Sequence, residues 1–134
     1  KKVSQLLNTQ VNKEILFRLS LLEFFKFYKE QGLDGFANWY QIQAQEERDH
    51  AMLFIQYMQN NDVPVTFESI DKPDAVLSEK VDPLKAGYEH EQYVTGLIHT
   101  IYEAAYEVKD FRTMQFLDWF CKMSRVRKKQ MPAT

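Results

Sequence analysis

Gln45-Glu46-Glu47-Arg48-Asp49-His50 lies midway along a segment whose apolar residues recur at helical spacing, and this stretch decides the fold that we predict. Glu47 and His50 are three residues apart, so on a helix both side chains lie on one face, about one turn apart. The rest of that face is apolar and consists of Phe36, Tyr40, Phe54 and Tyr57. A carboxylate and an imidazole buried alone cost roughly several kcal/mol, so they must be paired, neutralised or bound to a cation. A metal ion satisfies both groups, and a salt bridge at the edge of the face is the alternative.

Length and composition predict one domain with long helices. The chain has 134 residues, 45% of them hydrophobic, with only four Gly and four Pro. The net charge of −2 gives no reason to expect nucleic acid or an anionic membrane as a partner. Cys121 is the single cysteine, which excludes an intrachain disulfide and suits a reducing compartment. No apolar run approaches the roughly 18 residues of a membrane span, and no signal-peptide pattern follows Lys1, so we expect a cytoplasmic protein.

Helical periodicity and capping signals predict four helices. They cover approximately residues 3–31, 34–60, 83–109 and 111–122. Gly32 is a natural C-terminal cap, and Asp34 and Asp110 are good N-caps of the second and fourth helices. The first two helices are joined by a very short turn, so they must pack antiparallel. The long irregular stretch 61–81, strand-like only at 63–67, is the crossover that a third helix needs if it starts at the same end of the bundle.

Two other helices each place one carboxylate in a mostly apolar seam. Glu14 interrupts the seam of the first helix, and Glu91 interrupts that of the third. Each acid taken alone is also compatible with an exposed position. Three inward acids, counted with Glu47, favour a shared polyvalent cation in the core. The remaining seam residues are Leu7, Val11, Leu21, Phe25 and Tyr28 on the first helix and Leu84, Tyr88, Thr95, Ile98, Tyr102 and Ala105 on the third.

Several motifs together carry a resemblance to a known family. They are Asn12-Lys13-Glu14, Gly32-Leu33-Asp34-Gly35, Ala44-Gln45-Glu46-Glu47-Arg48-Asp49-His50-Ala51, Tyr88-Glu89-His90-Glu91-Gln92 and Phe116-Leu117-Asp118-Trp119-Phe120. In their order and spacing from Lys1 to Lys122, they make the chain resemble bacterial non-haem ferritin. The resemblance implies a single ferritin-like domain, an all-α antiparallel four-helix bundle with a long crossover between helices two and three.

The resemblance also implies iron storage with ferroxidase chemistry, in which Fe(II) and dioxygen enter and ferric oxide is stored. Glu14, Glu47 and His50 would hold one non-haem iron of a diiron centre. Glu47 would bridge to a second iron held by Glu91, and Glu46 matches an acid near a third iron position. Glu14, Glu47, His50 and Glu91 are therefore the expected catalytic residues. The expected assembly is a homo-oligomeric cage of 24 subunits if helix four is intact.

The chain departs from the family pattern in two places. After Phe120 the family has Glu-Gln-x-Glu-Glu, whereas this chain has a largely basic stretch at 122–134. We therefore expect helix four to be altered or cut short after about residue 122, and the second iron to lose a ligand. Arg18 is the other departure, because it lies one turn after Glu14, where a bundle seam does not accommodate a guanidinium.

A reading-frame error explains both departures. With permissive synonymous codons, skipping two bases restores the family's acids near the end of the chain. Removing one base places Ala at position 18 and Tyr at position 21. We hypothesise that residues 15–22 and 123–134 are read out of frame, and the alternative is a diverged ferritin-like chain. Tandem mass spectrometry of peptides covering both stretches decides between them.

Two other functions remain open from the sequence. The basic run at 125–129 is the kind of segment that binds phosphate backbones, as in a DNA-protecting mini-ferritin-like protein, although a solvated tail has the same composition. Ligands within the bundle argue against that class, which places its metal between subunits. The second possibility is a ferritin-like iron binder with impaired ferroxidase activity. His90 and His99 lie off the third seam and are expected at the surface.

Overall fold

Four helices make up most of the described chain. This computed structural model describes residues 2–69 and 83–129, without the side chains of residues 83–88, 90, 91 and 124–129. The helices are α1 (Lys2–Glu30), α2 (Asp34–Asn60), α3 (Pro83–Glu107) and α4 (Phe111–Lys129). They confirm the predicted antiparallel four-helix bundle, in which the long connection between α2 and α3 is the crossover. Over the described residues, no helix combines the length and the apolar character that crossing a membrane requires.

The first three helices end in the same hydrogen-bonded motif. After α1, Gly32 has a left-handed φ of 74°, and the Leu33 N–H donates to the Tyr28 carbonyl at 2.9 Å. This is the Schellman pattern, and it confirms the capping role predicted for Gly32. Corresponding bonds of 2.8 Å follow α2 and α3, where Asp62 (φ 57°) and Lys109 (φ 59°) occupy the left-handed position. These two residues lack the conformational freedom of glycine, so they adopt this backbone at a cost.

The starts of α2 and α4 are capped differently. Asp110 caps α4 as predicted, since its Oδ1 accepts a hydrogen bond from the Thr113 N–H at 3.1 Å. Asp34 does not cap α2, because Leu33 occupies the cap position without a side-chain hydrogen bond. Asp34 is the first helical residue, where its carboxylate complements the helix dipole and lies 3.4 Å from the Lys29 Nζ. The capping role predicted for Asp34 is therefore wrong, although α2 begins at the expected residue.

Helix α4 continues past the residue at which we expected it to end. The prediction stopped near Lys122, whereas the helix extends to Lys129. Residues 123–129 contain no Gly or Pro, so no residue there breaks the backbone hydrogen bonding. The predicted end was wrong because it followed the loss of a family motif rather than the presence of helix-breaking residues.

Two asparagines of α1 hold the beginning of the crossover. The Asn8 Nδ2 donates to the Thr66 Oγ1 at 2.9 Å, and the Asn8 Oδ1 accepts from the Thr66 N–H at 2.8 Å. The Asn12 Nδ2 donates to the Thr66 carbonyl at 3.0 Å, and the Asn12 Oδ1 accepts from the Glu68 N–H at 2.9 Å. The backbone of Thr66 and Glu68 thus pairs with side chains of α1, and the strand-like stretch predicted here does not form a strand. The rest of the predicted crossover lies outside the described residues.

Two clusters of buried side chains fill the interface between α1 and α2. One cluster includes Val3, Leu7 and Val11 from α1 with Phe54 and Met58 from α2, and it extends to α3 and α4. The other includes Leu21, Tyr28, Ala37, Tyr40 and Ala44. Because the helices are antiparallel, the residues between the clusters on α1 face those between the clusters on α2. Glu14, Glu47 and His50 all lie in that gap.

Two residues that we assigned to apolar seams are exposed. Phe36 is 40% exposed because it lies in the first turn of α2, at the end of the bundle. Thr95 is exposed because the buried face of α3 passes through Val94, Ile98 and Ile101, and Thr95 is turned away from it. The predicted faces are therefore wrong at these two positions, and the predicted seam residues Leu84 and Tyr88 have side chains outside the described residues.

Candidate metal centre

Glu14, Glu47 and His50 come together between α1 and α2. Each offers one donor atom, and these atoms all lie within 4.8 Å of one another. The three-residue spacing of Glu47 and His50 puts both on the face of α2 that packs against α1. Glu14 is 1% exposed, Glu47 4% and His50 6%, so the group is shielded from water. The structure thus assembles three of the five residues that we expected to bind iron.

The distances within this group leave room for an ion. The His50 Nδ1 lies 3.9 Å from the Glu14 Oε2 and 3.8 Å from the Glu47 Oε1, which is too far for a hydrogen bond. Oxygen and nitrogen ligands about 2.1 Å from a metal are roughly 3 to 4 Å apart, depending on the angle between them. The observed separations fall within this range, so a metal ion can bind with small side-chain adjustments.

The charges of these side chains also favour the binding of a cation. Two carboxylates this close and this buried repel each other if both are ionised, and water is not available to screen them. Within the described residues, the Glu14 Oε2 and the His50 Nδ1 have no hydrogen-bond partner. A divalent ion would neutralise the carboxylates and accept the imidazole lone pair at once. Carboxylate oxygens with one imidazole nitrogen are a donor set that suits iron.

Gln10 is a member of the site that the sequence reasoning missed. Its side chain is 1% exposed, and its Nε2 donates a hydrogen bond of 2.8 Å to the Glu14 Oε1. Gln10 lies one turn before Glu14, on the same buried face of α1. An amide at a seam position, four residues from a seam acid, was the signal that could have identified it.

The aromatic ring of Phe120 supports the imidazole from the side of α4. The two rings meet edge to face, with centroids 5.1 Å apart. Phe120 is itself 1% exposed and also contacts Phe54, so its position is fixed by the core. Through Phe120, helix α4 therefore helps to orient the His50 imidazole.

Glu46 is not in this group, and the structure does not describe the side chain of Glu91. Glu46 is half-buried on α2, and it does not join Glu14, Glu47 and His50, which we call the triad. Glu91 belongs to α3, and its side chain lies outside the described residues. The roles of Glu46 at a third iron position and of Glu91 at a second iron thus stay predictions.

Arg18 fits its position as poorly as the sequence indicated. The residue is half-buried, and its Nε has no hydrogen-bond partner within the described part of the chain. His99 is exposed as expected, whereas His90 and the basic side chains of 125–129 lie outside the described residues. The structure therefore adds no support for a basic phosphate-binding surface.

Comparison with known proteins identifies the family. A family model described as a ferritin-like domain matches residues 4–131, which includes the stretch after Lys122. The bacterial non-heme ferritin of Campylobacter jejuni is 34% identical over 120 residues, which cover 90% of this chain and 72% of that protein. The bacterial non-heme ferritin of Staphylococcus haemolyticus is 31% identical over the same shares of the two chains.

Solved ferritin structures share the fold. An open-pore ferritin from the archaeon Archaeoglobus fulgidus has a TM-score of 0.82 at 33% identity, covering 90% of this chain and 74% of that one. The ferritin of Chlorobium tepidum has a TM-score of 0.85 at 26% identity, covering 96% and 79%. These relatives do not favour the DNA-protecting alternative. The chain therefore belongs to the ferritin family, and its family and fold support a role in iron storage.

Proposed function

We propose that this protein stores iron by oxidising Fe(II) with dioxygen at a carboxylate-rich diiron site and depositing ferric oxide in a shell of its own copies. The observation that carries the proposal is the buried group of Glu14, Glu47 and His50, whose donor atoms lie within 4.8 Å of one another. Iron is the substrate and the cargo here. The protein contributes the ligands, their spacing and a site shielded from water.

The first iron binds to Glu14, Glu47 and His50. Their two carboxylates offset the charge of Fe(II) and stabilise the Fe(III) product, since ferric iron is the harder ion and prefers oxygen ligands. The Glu47 carboxylate has a second oxygen, so it can bridge to a second iron. Glu91 on α3 holds that second ion, and Glu46, which precedes Glu47 in the sequence, serves the third iron position.

Two irons at one site match the electron count of the reaction. Each Fe(II) gives one electron, and dioxygen accepts both together with two protons, leaving as hydrogen peroxide. Holding the two ions on rigid helices fixes their separation before oxygen arrives. The ferric product then hydrolyses and collects as oxide inside the shell.

Exposed apolar residues of the single chain support self-assembly. Tyr106, Val108 and Phe111 surround the α3–α4 turn and are 67%, 66% and 62% exposed. Apolar groups clustered at a surface are commonly covered by a partner. We therefore propose a homo-oligomer, which is measured as the mass of the purified protein by light scattering. A cage of 24 copies is the form expected if helix four is complete.

Oxygen uptake on addition of Fe(II) tests the proposed reaction. The unaltered chain should consume one dioxygen for about every two irons added, in a fast first phase. Glu14→Gln should slow that phase by at least about tenfold, because it removes a charged ligand. Glu103→Gln, which changes an exposed acid on α3, is the matched control and should react like the unaltered chain. Iron binding without fast oxygen uptake by the unaltered chain would overturn the proposal in favour of a simple iron binder.

A further inference from the structure

The Gln10 side chain is linked to the proposed site by a hydrogen bond to Glu14. Its Nε2 lies 2.8 Å from the Glu14 Oε1, and both residues are 1% exposed. In this hydrogen bond the Gln10 NH₂ group donates and the Glu14 oxygen accepts.

The two oxygens of Glu14 are in different situations as a result. The Oε1 is occupied by the Gln10 amide. The Oε2 has no hydrogen-bond partner within the described residues and faces the His50 Nδ1 at 3.9 Å. The Oε1 is therefore held by the Gln10 amide, while the Oε2 faces the centre of the triad.

The amide at this position does not serve the stability of the bundle. The Gln10 Oε1 is buried and has no hydrogen-bond partner among the described residues. A buried acceptor without a partner destabilises the folded chain, whereas an apolar side chain of similar length would fill the same space without that cost. What Gln10 supplies, and an apolar residue could not, is the hydrogen bond to Glu14.

We propose that Gln10 is a positioning residue that makes Glu14 bind metal through a single oxygen, the Oε2. This inference rests on the proposed function of the triad as a metal site. By engaging the Oε1, the amide prevents Glu14 from rotating to bind through both oxygens. Partners of this kind, one step removed from the metal, fix the direction and basicity of the ligands that they touch.

Titration with Co(II) tests this role without relying on iron oxidation. The visible absorption of bound Co(II) depends on the number and geometry of its ligands, and Co(II) does not react with dioxygen as Fe(II) does. Gln10→Met keeps the length and volume of the side chain but removes the donor. Gln10→Asn keeps the donor but shortens its reach. Gln5→Met, at an exposed position on the same helix, is the matched control.

Both Gln10 variants should bind Co(II) about 10- to 100-fold more weakly than the unaltered chain, with a changed spectrum and unchanged helix content. The Gln5 variant should bind normally. If Gln10→Met binds Co(II) with the original affinity and spectrum, the positioning role is wrong and the triad stands. If the expected pattern appears but the unaltered chain does not oxidise Fe(II), the proposed reaction is wrong and the positioning role stands. If the unaltered chain does not bind Co(II), both the proposed metal site and the positioning role of Gln10 are wrong.

Discussion

The Glu14 Oε2 on α1 lies 3.9 Å from the His50 Nδ1 on α2, across the buried interface of the two helices. Neither atom has a hydrogen-bond partner among the described residues. Buried polar atoms are nearly always hydrogen-bonded, so this pair supports the metal ion that we propose between them. Glu47 lies on the same gap at 3.8 Å from the imidazole, so the space is bordered by two negative groups and one lone-pair donor. A cation bound there would offset the charge of the two carboxylates and accept the lone pair of the imidazole.

Replacing Glu47 by alanine should abolish fast Fe(II) oxidation and leave the helix content nearly unchanged. Glu47 is the one residue assigned to both irons, so its loss should slow the oxygen-consuming phase by at least about tenfold. The helix tolerates alanine well, and one of two repelling buried carboxylates disappears. Oxygen uptake and circular dichroism measure the two effects. Arg48→Ala, at the exposed neighbouring position, is the control. Unchanged oxidation in the Glu47 variant would exclude this residue from the site.

Replacing Arg18 by methionine should stabilise the folded chain by about 1 kcal/mol. The Arg18 Nε is buried without a hydrogen bond to any described residue, and methionine removes it while retaining an unbranched apolar stem. Urea unfolding followed by circular dichroism measures the change. Arg48→Met, at an exposed site, should stay within about 0.5 kcal/mol of the parent. A clear loss of stability in the Arg18 variant would show that the guanidinium has a favourable partner.

Replacing Lys109 by glycine should stabilise the chain by about 0.5 to 1 kcal/mol, because glycine adopts a left-handed backbone without the steric cost of a Cβ. Lys109 has a φ of 59° in the motif that ends α3. The same substitution at Lys122, an exposed position inside α4, should instead destabilise by about 1 kcal/mol. Urea midpoints of the two variants should thus move in opposite directions. Movement in the same direction would contradict one of the two backbone assignments.

The stability of the fold should fall at alkaline pH partly because of Tyr57. Burial raises the pKa of Tyr57, and the charge of Asp110 raises it further. The folded chain therefore holds this proton more tightly than the unfolded chain, in which the pKa is about 10. The resulting stability is fully present below about pH 10 and is lost as the pH rises through the pKa of the folded state.

Tyr57→Phe removes this contribution and should flatten the alkaline decline, as measured by urea unfolding at a series of pH values. At pH 7 the variant should lose about 1 kcal/mol, the usual value of one hydrogen bond. The loss should not be larger, because the Thr113 hydroxyl still donates to the Asp110 Oδ2 at 2.6 Å. Tyr106→Phe, at an exposed position, is the control. An unchanged pH dependence in the Tyr57 variant would show that other groups cause the decline.

Periodicity was sufficient to predict the parts of the site that regular helices impose. Once α1 and α2 pack antiparallel, Glu14 and the Glu47–His50 pair meet without any special backbone, so their spacing in the sequence sufficed. Gln10 was not predicted because its spacing of four residues from Glu14 places it on the buried face without showing that its amide bonds to the carboxylate. The end of α4 was missed for a different reason, since residues 123–129 lost a motif without losing helix-forming side chains.

Glu14, Glu47, His50 and Gln10 all belong to α1 and α2, which are separated only by the three residues 31–33. Contacts between neighbouring helices form early, because little chain entropy is lost in closing so short a loop. During synthesis, the amino-terminal hairpin is complete once about residue 60 has left the ribosome. We therefore expect the growing chain to bring its first three donor groups together before α3 and α4 exist. Helices α3 and α4 then pack over the proposed site, in which the donor groups of α1 and α2 are already in position.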